Sequence, residues 1–195
     1  MPRVIFYVCS VDPGVRNFAY VIGRVDADAL GPAPTPASVF DALEVVSVAK
    51  VDLQRARDHG SLVRACRALV RVLDADPFFA RVSFVVIEAQ RGANPACVKI
   101  AQHVLSFTLA RVPDAGVHSM APRAKLGAFG GPIGGTASAR KRFSVQTLEA
   151  YLAARPHGAF APLRACLAAA SKKDDVADAV LQLCTFLLLG KWGVR

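Results

Sequence analysis

Five acidic residues occupy positions where a carboxylate is costly unless something holds it. Asp12 closes the apolar run VIFYVC and opens the turn of SVDPGVRNFAY. Glu88, one of three glutamates in 195 residues, closes FVVIE, while Asp174, Asp175 and Asp178 open the apolar segment KKDDVADAVLQL. Each has an ordinary explanation taken alone. Asp-Pro-Gly is what a hairpin turn uses, and a strand that surfaces often ends on a charge. Aspartates in a first helical turn favour the positive end of the helix dipole and cap its free N–H groups. That last explanation suits Asp174 or Asp175 and fails for Asp178, a full turn further in among apolar neighbours. Positions 175 and 178 are i and i+3, so on a helix both carboxylates project from one face. Close carboxylates repel, and burying them unpaired is expensive. A divalent cation resolves both problems, and hard oxygen donors with no His or Cys nearby suit Mg²⁺ or Mn²⁺ rather than zinc. Lys172 and Lys173 also offset the charge, so the spacing favours a metal without requiring one.

These side chains meet only if the elements carrying them converge. VIFYVCSV and NFAYVIGRV read as a hairpin, and LEVVSVAKVDL, after the Pro-rich excursion GPAPTPAS, as the third strand of an antiparallel meander. Residues 61–75 place Leu62, Cys66, Leu69, Val70 and Leu73 on one helical face and Arg64, Arg67 and Arg71 on another. VSFVVIEA, without alternation, reads as a buried fourth strand. Residues 95–111 then form a helix, GVHSMAP a short fifth strand, and residues 138–154 another helix. Between them LGAFGGPIGGTASA, residues 126–139, is too rich in glycine to be ordered by its own chemistry. A last helix from about Lys173 to Leu189 is apolar almost all round and therefore buried. The order βββαβαβαα predicts a single α/β domain over residues 1–195 with no internal repeat. If the hairpin lies to one side, strands one and four are parallel neighbours, and Asp12 and Glu88 end at one sheet edge. Carboxylates converging there, joined by the aspartates of the last helix, form a site for two metal ions. Such ions activate water and stabilise the leaving oxygen of a phosphodiester.

Composition agrees with a polyanion partner. Residues 1–90 carry ten Lys and Arg against ten Asp and Glu, whereas residues 91–195 carry fourteen against five and hold the whole net charge of +9. A one-sided basic half points to nucleic acid before membrane, although a merely soluble basic surface explains the charge equally well. Five scattered cysteines without a Cys-x-x-Cys pair argue against a zinc site or a disulfide framework and for a reducing, intracellular compartment. Neither the N-terminal apolar run nor VLQLCTFLLLG is long enough for a secretion signal or a membrane span.

DPGVRNFAY, VVIEAQ and DDVADAV, in that order and at those distances, resemble the RuvC-like Holliday junction resolvases of the RNase H-like superfamily. The likeness is greatest to the poxvirus resolvases, then to the fungal mitochondrial ones, and it covers essentially the whole chain. It implies an RNase H-like fold, a mixed five-stranded sheet flanked by helices. It implies that Asp12, Glu88, Asp175 and Asp178 are the catalytic, metal-binding tetrad; Asp174, extra relative to the bacterial pattern, is the alternative ligand to Asp175 in another helix register. It also implies Mg²⁺, with Mn²⁺ substituting and a pair of ions per site, and hydrolysis leaving 5′-phosphate and 3′-hydroxyl ends. The enzyme would be a homodimer acting on a four-way DNA junction, located in host cytoplasm or virion. The sequence departs from the bacterial pattern in EAQRGAN, which has no aromatic wedge after the glutamate, and in its longer glycine-rich loop.

Candidate DNA contacts are Arg140, Lys141 and Arg142 at a helix start, Lys125 at the end of strand five, Arg16 and Asn17 beside Asp12, and Lys172 and Lys173 beside the aspartates. A solvated helix face explains any single one of them as well. On the 95–111 helix, Val98, Ile100, Val104, Leu105 and Leu109 either face a partner or pack in the core. Three other readings compete. An ATPase of the actin and sugar-kinase superfamily needs two such domains, and GGPIGGTASARK is not a P-loop. A non-catalytic nucleic-acid-binding module would be weakened by four carboxylates where phosphates bind. A nuclease for flap or other branched DNA differs in selectivity, which chemistry alone does not set.

Overall fold

Buried β-branched runs, turn residues and amphipathic segments alternate along the chain, and the elements follow them. In a computed structural model, residues 3–54, 61–90, 94–132, 134–155, 158–190 and 192 are described. The strands are β1 (Ile5–Asp12), β2 (Phe18–Asp26), β3 (Leu43–Val51), β4 (Phe84–Glu88) and β5 (Gly116–Met120). The helices are α1 (Ala27–Leu30), α2 (Pro36–Ala42), α3 (Leu62–Asp74), α4 (Pro95–Arg111), α5 (Ala124–Ala128), α6 (Ala137–Ala153), α7 (Ala161–Ala169) and α8 (Asp174–Leu188).

The sheet order is β3-β2-β1-β4-β5, antiparallel among β1, β2 and β3 and parallel from β1 through β4 to β5. The hairpin therefore does lie to one side, and the ends of β1 and β4 meet. Register makes this concrete. Asp12 lies opposite Ala19, and Ala19 opposite Lys50. Val11 lies opposite Ile87, which brings Glu88 alongside Asp12. Residues in one such row project from the same face of the sheet. The turn after Asp12 requires glycine at position 14, because a Cβ there would stand 2.8 Å from the Asn17 carbonyl oxygen.

Helices cover both faces, which is why β1 and β4 lack alternation. On one face α8 lies against β1 and β2 with Val176, Val180, Leu183 and Leu187 in a core shared with α2, α6 and α7. On the other, Leu69 and Leu73 of α3 and Ile100 and Val104 of α4 pack over Cys9, Val11, Val85 and Ile87.

Three sequence expectations are corrected. The Pro-rich excursion runs into α2, where Thr35 and Ser38 form a reciprocal capping box with Pro36 in the first turn. Helix α7 has no counterpart in the expected order, because four of its nine residues are alanine and only Leu163 and Leu167 mark its buried side. The glycine-rich stretch is structured where described: Leu126 is buried in α5, Gly131 N–H donates to the Leu126 carbonyl at 2.7 Å, and Thr136 caps α6. Residue 133 of that stretch, and residues 91–93 after the strand-four glutamate, lie outside the described residues. Cys9, Cys97 and Cys184 are buried thiols, while Cys66 and Cys166 are half-buried, and none is in a disulfide. Among the described residues no helix is long and apolar enough to cross a membrane.

Candidate active site

The sheet row delivers Asp12 and Glu88 side by side, and α8 brings its aspartates down onto them. A buried amide sets that approach. Gln182, one turn beyond Asp178, shares the two hydrogens of Nε2 among Ser10 Oγ at 3.1 Å, the Val11 carbonyl at 3.2 Å and the Val86 carbonyl at 3.1 Å. It ties α8 to β1 and β4 immediately behind the two strand-end acids. Gln182→Leu removes these bonds from a dry site, so the variant is expected to lose about 1–3 kcal/mol of stability. Urea denaturation should show the lower midpoint; an unchanged midpoint would mean the amide holds nothing.

The charges around the acids are unequal. Lys125 Nζ lies 2.8 Å from Glu88 Oε2 and 3.1 Å from Asp178 Oδ1. Lys50 Nζ lies 2.7 Å from Asp175 Oδ2 and donates to the Lys172 carbonyl at 2.7 Å. Two largely buried lysines, with the more exposed Lys172 4.0 Å from Asp175 Oδ1, thus face four carboxylates. Burial, then the Glu88 charge, push the Asp12 carboxyl well above the usual carboxylate range; Lys125 opposes this, and Asp178 and Asp175 add to it. Burial works to lower the Lys125 ammonium, but Asp178 and Glu88 outweigh it and hold the value above that of a free lysine. Although the lysines stand within ion-pair distance, Asp175 Oδ2 and Asp178 Oδ1 are buried without a hydrogen bond of acceptable geometry from any described residue.

These oxygen donors, with their excess charge and two buried atoms held by ion pairs alone, fit a hard divalent cation. They are not preassembled around one. Among the described residues no three His, Cys, Asp or Glu side chains are already arranged to hold an ion. The convergence anticipated from the sequence is one of charge, and Lys125 fills the space between Glu88 and Asp178.

Lys125 itself is placed differently from the sequence expectation. It belongs to α5, beyond the end of β5, is 6% exposed, and points into the acids rather than toward solvent. Asp174 also differs. It pairs with Lys141 at 2.5 Å and Lys172 at 3.5 Å, and although burial works to raise its carboxyl, the Lys141 hydrogen bond and charge hold it below the usual range. Lys173 pairs with Glu149 at 2.9 Å. Arg140 donates from Nη1 to the Gly135 carbonyl at 2.6 Å and braces the loop before α6, whereas Arg142 is exposed. Arg16 is exposed and Asn17 half-buried in the turn that follows Asp12. On α4, Ile100 and Val104 belong to the core, Val98 is half-buried, and Leu105 and Leu109 face outward.

Sequence reasoning missed Lys50 and Gln182. The only local trace of Lys50 is its position two residues after Val48, on the α8 face of an apolar strand; Gln182 shows as one amide inside an otherwise apolar helix.

The family model for the Poxvirus A22 protein matches residues 6–189. No curated protein sequence matches the chain. Among solved structures, the fowlpox virus Holliday junction resolvase aligns with a TM-score of 0.63 at 18% identity, covering 93% of this chain and 97% of that one. The complex of fowlpox virus resolvase with substrate Holliday junction DNA aligns at 0.62 and 17%, again covering 93% and 97%. RuvC of Thermus thermophilus aligns at 0.57 and 15%, covering 95% and 97%. The helix-flanked mixed sheet is thus the RNase H-like resolvase fold that the sequence resemblance implied.

Proposed function

The chain belongs to the Poxvirus A22 protein family, and on that premise we propose that it is a metal-dependent DNA endonuclease that resolves four-way junctions by paired, symmetric nicks. The observation that carries this reading is the placement of Asp12 and Glu88 on neighbouring strand ends, beneath Asp175 and Asp178, with more negative charge than Lys50 and Lys125 neutralise. Asp12, Glu88, Asp175 and Asp178 would hold Mg²⁺, or Mn²⁺ in its place, as a pair of ions. Bound there, such ions activate water and stabilise the leaving oxygen of a phosphodiester.

The chain's own residues do the rest. Lys125 holds Glu88 and Asp178 apart from each other's charge in the metal-free protein, and Lys50 does the same for Asp175. Gln182 keeps α8 in register with the strand ends. Lys141, Arg142, Lys172, Lys173 and Arg16 offer exposed or half-exposed cations around the acids for the DNA backbone, while Arg140 and Asn17 shape the loops beside them. Recognition through phosphates makes binding steeply salt-dependent. Symmetric cutting needs two sites, so the working unit is a homodimer of single-domain subunits. Leu105 and Leu109 on α4 and Val63 on α3 are exposed apolar side chains on the face away from α8, where a second copy can cover them. Membership of a poxvirus family supports host cytoplasm or virion as the place of activity.

The deciding experiment incubates the protein with a mobile four-way junction and a matching linear duplex, each with Mg²⁺, Mn²⁺ or EDTA, and reads products on denaturing gels. Symmetric paired nicks on the junction alone, absent in EDTA, are the expected result. Equal cutting of the duplex would replace the resolvase reading with a nuclease of another target. Junction binding without cutting under either metal would reduce the protein to a binding module.

A further inference from the structure

Beside the acids, between the first turns of α6 and the start of α8, lies a cleft of about 470 Å³ whose lining includes Ser138, Lys141, Arg142, Lys172, Lys173 and Asp174. Its charge is lopsided: four cations and one carboxylate line it, and of the four Lys173 pairs with an acid outside the lining, Glu149, while Lys172 also approaches Asp175. Lys141, Lys172 and Lys173 have side chains 46%, 48% and 43% exposed, whereas the Asp174 side chain is 9% exposed. Two ammonium groups that reach solvent thus converge on one nearly buried carboxylate. A carboxylate and a phosphodiester carry the same unit charge and present a pair of acceptor oxygens, so a site that grips one is suited to the other. Asp174 also directly precedes Asp175, which places the cleft next to the proposed metal site.

We propose that this cleft is a subsite for a DNA backbone phosphate adjoining the cleavage position, and that Asp174 is its internal competitor, occupying Lys141 and Lys172 in the free protein. The identity of the polyanion rests on the nuclease reading; the cleft and its counter-charge do not. Asp174 is then no metal ligand. It sets how strongly the phosphate backbone is gripped, because every phosphate entering the cleft must share two lysines already paired.

The test is DNA binding in EDTA, so that metal plays no part. Fluorescence anisotropy on a labelled four-way junction and on a labelled single strand would be followed across a salt series. Asp174→Asn is expected to bind about five- to tenfold more tightly than wild type, with a salt slope steeper by roughly one phosphate contact. Glu44→Gln is the control: it changes net charge equally, but Glu44 pairs with Arg24 at the far end of β2 and β3. It should bind within about twofold of wild type. Adding Lys141→Gln to Asp174→Asn should abolish the gain, and Lys141→Gln alone, on the surface, should weaken binding and flatten the slope. Binding by Asp174→Asn that is equal to or weaker than wild type, or an equal gain in Glu44→Gln, overturns the proposal. So does a failure of wild type and Asp174→Asn alike to bind either DNA. A protein that shows the Asp174 effect yet cuts no DNA in Mg²⁺ retains the subsite and loses the nuclease reading.

Discussion

Asp12→Asn is expected to fold, to bind four-way junction DNA, and to cut it roughly 10³-fold or more slowly than wild type. The amide keeps the shape of the carboxylate and the turn that follows it, but it takes one negative charge from the group that would hold the cation. The same substitution should stabilise the metal-free protein. Burial and the neighbouring acids raise the Asp12 carboxyl in the folded state, with Lys125 only partly opposing them. A group raised on folding favours the native state below its unfolded value and works against it as pH climbs through the folded one. Metal-free wild type therefore loses stability through Asp12 between acid and neutral pH, and Asp12→Asn, with no charge to bury, does not. Thermal melts in EDTA at neutral pH should place the variant a few degrees above wild type, a gap that closes on acidification and on adding Mg²⁺ to wild type. Cleavage within tenfold of wild type would remove Asp12 from the active site.

Lys125→Met should show the opposite pattern. Lys125 is almost fully buried and supplies the ammonium between Glu88 and Asp178. Removing one partner of such a pair leaves buried charge uncompensated, at a cost of about 3–5 kcal/mol, which in a chain of this size is near 10 °C of melting temperature. The raised value of Lys125 means its stabilising contribution is fully present through the neutral range and lost only as pH rises through the alkaline folded value. The loss on substitution should accordingly be constant from pH 6 to pH 8. Divalent ions should recover more stability in Lys125→Met than in wild type, because the cation then takes over the lysine's charge. A variant as stable as wild type in EDTA, with the same response to Mg²⁺, would show that Lys125 is not the counter-charge of the site.

Strand runs, the Asp-Pro-Gly turn, the 95–111 helix and the apolar last helix were all legible, because each is written in patterns a few residues long. Asp12 and Glu88 at strand ends followed from where apolar runs stop, and the shared face of Asp175 and Asp178 followed from helical spacing. Helices α2 and α7 were not legible, the first hidden by the prolines that precede and open it and the second by alanines at four of nine positions, which leave little periodic contrast. The counter-charges escaped for a different reason. Lys125 reaches Glu88 across 37 residues and Gln182 reaches Ser10 across 172, and nothing local to a lysine or a glutamine says which distant acid or carbonyl it meets. By itself the sequence determined which carboxylates stand at strand and helix ends and hence what chemistry is open to them. Tertiary structure alone decided that Lys125 and Lys50 stand among those acids while Asp174 is drawn off by Lys141 and Lys172, because pairing depends on strand register and helix docking between segments far apart in the chain.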